Sequence, residues 1–134
     1  MSSADFEFKL AKGFAELLAS TGIGVWAENR AYAPAETGIT YRSFPDSPAS
    51  LIVLSPYPVR DDVSQASATY GLQIRTRGGN TSAKTCDDLA GAIYDLLHGQ
   101  GNFALSTGIH VSQVYRQSGA SLGQDSAGRW GRSD

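Results

Sequence analysis

Arg75 and Arg77 lie on one side of an alternating stretch that runs straight into Gly78, Gly79 and Asn80, just before a helical pattern begins. Two guanidinium groups followed by glycine amides at a helix start are the parts of a phosphate cradle, the amides supplying donors and the arginines charge. The segment lacks the full spacing and Lys-Ser/Thr ending of a nucleotide-binding loop, so an exposed strand face entering a tight turn fits it as well. Other reactive side chains are scattered. Cys86 falls on the apolar side of a helical repeat, where a thiol packs as a small hydrophobe. His98 ends that repeat, suited to the negative end of a helix dipole, and His110 opens a strand with no carboxylate beside it in sequence. Two isolated histidines make no metal set. Asp61-Asp62 and Asp87-Asp88 are adjacent pairs whose side chains diverge, so a cation would need further oxygen ligands. No catalytic residue, no cofactor site and no metal site is assigned, and the protein is expected not to be an enzyme.

The second concentration of interest is Ile109–Asp134, read as a β-hairpin arm. Strands are expected at Val111–Gln117 and Arg129–Ser133, around a loop holding Gly119, Gly123, Gly128, Ser121 and Ser126. By strict alternation Val111 and Val114 fall on opposite faces, which calls for a bulge near Ser112 and Gln113 or burial on both sides. Trp130, flanked by Arg129 and Arg132, suits either of two uses: capping its own domain's core or docking on another subunit.

The elements that position these residues follow from periodicity. Phe6, Leu10, Phe14, Leu17 and Leu18 recur at three- and four-residue spacing and predict an amphipathic helix, capped at Ser2 or Ser3 and stopped by Gly22. Gly13 inside it costs about 1 kcal/mol against Ala, which suggests a close neighbour. Cys86, Leu89, Ala90, Ile93, Leu96 and Leu97 line a second helix from a Thr81 or Ser82 cap to Gly99. Leu51–Leu54 is a continuous aliphatic strand covered on both faces, with its ladder ended by Pro56 and Pro58. Thr69–Arg77 alternates, placing Tyr70, Leu72 and Ile74 inward and Gly71, Gln73, Arg75 and Arg77 outward. Short strands fit Val25–Ala27 and Ile39–Tyr41. The order of elements predicts an α+β class: a mainly antiparallel or mixed sheet of about four to five strands, two helices packed on one face and the other face open.

With 134 residues, 41% hydrophobic and 18% charged, the chain suits one domain spanning 1–134. A net charge of −2 supplies no overall positive field for nucleic acid or an anionic membrane. A lone cysteine excludes an intramolecular disulfide and fits a reducing compartment. No stretch approaches the ~20 apolar residues that span a bilayer, and acidic and basic residues interrupt the N-terminal segment, so a soluble intracellular protein without membrane contact is expected.

Three segments occur together in order: GLQIRTRGG at Gly71–Gly79, CDDLAGAIYDLLHG at Cys86–Gly99, and the ending VYRQSGASLGQDSAGRWGRSD. In them the chain resembles the tail terminator proteins of long-tailed bacteriophages, often labelled minor capsid or tail-completion proteins. The likeness covers most of the chain, most strongly Tyr57–Asp134 and least over Ala27–Ser50. It implies a structural protein of the virion, at the head-proximal end of the tail and assembled in the host cytoplasm. Such a protein caps the tail tube as a homohexameric ring, stops tube polymerisation and forms the head–tail joining surface. Its implied partners are the tail tube protein and a head–tail connector protein, with DNA passing through the lumen without specific binding. A ring implies heterologous contacts, for which Arg75, Arg77, Arg116, Leu122, Gln124, Asp125, Arg129, Trp130 and Arg132 are the expected subunit or tail contacts. Beside this stands the alternative of a small phosphate- or nucleic-acid-binding module using the Arg75–Asn80 turn.

Overall fold

The computed structural model describes residues 3–60 and 69–134; Ser2 and the Asp61-Asp62 pair lie outside them. The three- and four-residue spacing of Leu10, Phe14 and Leu18 forms helix α1 (Ser3–Ser20), with those side chains buried. Its end is a Schellman turn: Ile23 N–H donates to the Leu18 carbonyl and Gly22 N–H to that of Ala19, with Gly22 at φ +83°. Helix α2 (Ala83–Leu97) buries Cys86, Ala90, Ile93 and Leu97, and Gly99 follows it at φ +84°. The expected cap at its start is replaced. Ser82 occupies the N-cap position without a side-chain bond, and Asn80 Oδ1 accepts the Ser82 N–H at 2.9 Å instead.

The strands are β1 (Val25–Trp26), β2 (Gly38–Tyr41), β3 (Leu51–Arg60), β4 (Thr69–Arg77), β5 (Gly101–Ala104), β6 (His110–Gln113), β7 (Ala120–Gln124) and β8 (Trp130–Ser133). Six form a mixed sheet in the order β1-β2-β3-β4-β8-β7, and β5 and β6 pair separately. The β1–β2 and β2–β3 pairs are parallel; the others are antiparallel. The class is therefore α+β with two helices and a mixed sheet, richer in strands than the four to five expected. Both helices lie on one face, since Leu10, Phe14, Leu18, Ile93 and Leu97 share a core with Ile39, Ile52, Leu54 and Ile74. Leu51 and Val53 alternate onto the opposite face and are also buried. There the segment 42–50 covers them, with Pro48 fully buried against Gly38, the β2 partner of Leu51.

Two sequence expectations are corrected by this topology. Pro56 and Pro58 do not end the β3 ladder; Pro56 pairs with Leu72 and Pro58 with Tyr70. Past Leu54 the strand has a neighbour on one side alone, because β2 stops at Tyr41. The prolines face that outer edge, where the Leu54 and Pro56 carbonyls accept from the Arg42 backbone and guanidinium, so the missing N–H groups forfeit no ladder bond. The second correction concerns the 109–134 arm. His110–Gln113 turns away to pair with Gly101–Ala104, and the hairpin in the main sheet is β7–β8, formed partly by residues expected to be loop. Its tight connection is made by Asp125, whose Oδ1 accepts the N–H groups of Ala127 and Arg129. Val114 lies beyond β6, bonding to Gln100 and Gly99, and both Val111 and Val114 pack on the core.

Candidate functional site

Arg77 leaves β4 on the face opposite the helices and turns onto the segment that crosses it. Its guanidinium donates to the carbonyls of Ala49 (2.8 Å), Pro45 (2.6 Å) and Pro48 (2.8 Å). Burial, with the Arg129 charge nearby, pulls its pKa below the ordinary arginine value. Arg129 approaches the same segment from the hairpin: its Nη1 donates to the Asp46 carbonyl at 2.9 Å and its Nε to Asp125 Oδ2 at 2.8 Å. Asp125 is held below the usual carboxylate range, chiefly by the backbone N–H of Arg129. Two guanidinium groups thus pin one loop to the sheet, and carbonyl oxygens are good acceptors for a planar, multi-donor cation.

These bonds occupy several of the donors a phosphate cradle at this turn would use. Arg77 is committed to carbonyls, Gly78 N–H donates to the Trp130 carbonyl at 3.0 Å, and Ser82 N–H goes to Asn80. Trp130 itself is half-buried, and its indole N–H donates to the Thr81 carbonyl at 3.1 Å, fastening the hairpin to the start of α2 in its own subunit. Arg132 pairs with Asp134 at 2.9 Å and reaches Asp87 of α2 at 3.8 Å. Gln124 donates to the Gly128 carbonyl across the hairpin turn. Leu122, on the edge strand β7, is exposed.

Arg116 belongs to a different place. It lies 4.1 Å over the Tyr94 ring, whose other neighbour is the stacked His98 ring at 4.6 Å. Arg116 N–H donates to His98 Nδ1 at 2.9 Å, and its guanidinium is 3.6 Å from Asp134. This cluster walls an open groove of about 810 Å³ floored by Tyr70, Leu72 and Ile74. Cys86 is buried with Sγ against Thr76. Among the described residues, no group of three or more His, Cys, Asp or Glu side chains gathers as a metal set.

Arg75 contrasts with Arg77. It lies 4.3 Å over the exposed Phe44 ring on the sheet face away from the helices and has no ion pair among the described residues. Tyr57 and Val59 are exposed farther along β3, Tyr57 lying over the site where Gly71 has no Cβ. Sequence reasoning missed this aromatic and aliphatic run. Its signal was alternation continuing past Pro56 from Val53 to Tyr57.

Comparison with known proteins gives one match. The family model described as "Bacteriophage tail terminator protein" matches residues 17–134. No curated protein and no solved structure matches the chain. Among the described residues, no helix is long and apolar enough to cross a membrane.

Proposed function

The chain belongs to the bacteriophage tail terminator family, and we propose that it closes the finished tail tube as a homohexameric ring, halts addition of tube subunits and presents the surface that meets the head. The family match over residues 17–134 carries this reading. The architecture supports it physically. A closed ring needs two different complementary patches on each subunit, and the sheet offers one face under two helices and another with exposed Phe44 and Tyr57. The negative charge of the chain suits a conduit whose wall does not hold DNA.

Within this reading the expected contact residues divide by what they touch. Arg75, Leu122 and the exposed side of Arg116 are the direct contacts to a neighbour or the tube. Arg77, Asp125, Arg129, Trp130, Arg132 and Gln124 shape those surfaces from within, by fixing the hairpin and the 42–50 segment. No catalytic group takes part. The test is native mass spectrometry and electron microscopy of the protein alone and on purified tail tubes. Sixfold rings, and tubes that stop growing once capped, are the expected result; a protein that neither forms rings nor stops tube growth refutes it.

A further inference from the structure

The sheet face opposite the helices is half-covered. The segment 42–50 shields Leu51 and Val53, while Phe44 and Tyr57 remain 45% and 47% exposed, with Arg75 stacked on Phe44 and no carboxylate paired to it among the described residues. An aromatic surface carrying a cation with no carboxylate partner among the described residues calls for a partner that is flat, closely approachable and acidic.

The same chain carries such a surface. Beside the buried stripe of α2, Asp87, Gly91 and Asp95 recur every four residues and form one stripe that starts next to Arg132 of its own hairpin and ends at exposed Asp95. Asp87 and Asp95 are exposed, and Asp95 has no hydrogen bond or ion pair among the described residues. Gly91 stands mid-helix, where Gly costs about 1 kcal/mol against Ala, yet among the described residues nothing lies within 4 Å of where a Cβ would be. Gly13 of α1 has a neighbour that excuses it; Gly91 has none among the described residues. A partner pressed against the helix backbone supplies the missing reason.

We propose that each subunit lays the Asp87–Gly91–Asp95 stripe of α2 on the open sheet face of the next copy, with Asp95 meeting Arg75 and the helix backbone at Gly91 seated against Phe44 and Tyr57. The proposal rests on the ring reading and names the two patches that reading needs. Helices and open face lie on opposite sides of one sheet, so the contact cannot close on itself in a two-fold pair and propagates from head to tail.

The experiment compares wild type, Arg75→Glu, Asp95→Arg and their combination by native mass spectrometry at low salt, alone and on tail tubes, with circular dichroism as the control for folding. Each single reversal is expected to lower ring formation about tenfold, and the double reversal to recover it, because the charges are exchanged and the pair is kept. Gly91→Leu, which favours the isolated helix, is expected to block rings sterically. Rings from both single variants as readily as from wild type overturn this contact and leave the ring reading standing. A double variant no better than the singles also overturns it. A wild type that assembles under no condition sinks both readings together.

Discussion

The two helical glycines make opposite predictions that can be worked from geometry. A Cβ added at Gly13 would sit 2.7 Å from Leu105 Cβ, 2.8 Å from Leu105 Cδ1 and 2.9 Å from Thr107 Oγ1. The first of these atoms is fixed to the backbone, so a rotamer change does not relieve it. The loop that carries it is itself tied down: Thr107 Oγ1 donates to the Lys9 carbonyl at 2.8 Å, and Leu105, 5% exposed, is part of the core. Gly13→Ala gains about 1 kcal/mol of helix propensity. Against it stands overpacking, at the upper end of the usual 1–3 kcal/mol, plus about 1 kcal/mol if the Thr107 bond breaks. The loss wins by roughly 2–3 kcal/mol, which for a domain of this length lowers Tm by about 8–12 °C. Gly91→Ala gains the same propensity with no clash in the subunit, so it raises Tm by about 4 °C. Thermal unfolding followed by circular dichroism, on monomeric protein at matched concentration, measures both. A Gly13→Ala variant as stable as Gly91→Ala refutes the close approach of Leu105 to α1.

Arg77→Met keeps the aliphatic stem but leaves the Pro45, Pro48 and Ala49 carbonyls without their shared donor; the expected loss is about 1–3 kcal/mol in urea unfolding, with faster amide exchange at Leu51 and Val53 as the covering segment loosens. Unchanged exchange there would show that the segment stays in place without the clamp. The Arg30–Glu36 pair gives a pH signature. The two terminal guanidinium nitrogens of Arg30, Nη1 and Nη2, bind the Glu36 carboxylate, at 2.8 and 2.9 Å, and with the Ala33 N–H they lower its pKa from the usual 4.5 to about 2. Since the folded value lies below the unfolded one, the pair's support for the 27–37 loop is present above about pH 4.5 and disappears as pH falls through about 2. Carboxyl NMR titration is expected to show this midpoint, and Arg30→Ala to return it toward the ordinary range; a normal midpoint in the wild type refutes the pairing.

What was legible in the sequence and what was not differ by the kind of information required. α1 and α2 show in the periodicity because one buried stripe, against one sheet, decides each of them, and the aliphatic run Leu51–Leu54 shows its two-sided burial for the same local reason. The prolines of β3 mislead because their cost depends on which edge they face, a property of the neighbour β2 and its end at Tyr41, outside any local pattern around the prolines. β7 was hidden because its residues, Ala-Ser-Leu-Gly-Gln, have little strand preference of their own; β8 supplies the pairing and the Asp125 turn sets the register. The arginines show the same limit most sharply. Composition marks Arg75, Arg77 and Arg129 as equivalent surface cations, but the fold directs Arg77 and Arg129 to carbonyls of the 42–50 segment and leaves Arg75 on an aromatic ring. That division follows from distance along β4: Arg77 lies opposite Leu51, under the crossing segment, while Arg75, two residues back and opposite Val53, stacks on Phe44. Among the described residues, Arg75 is therefore the one of the three whose guanidinium meets neither a carbonyl nor a carboxylate.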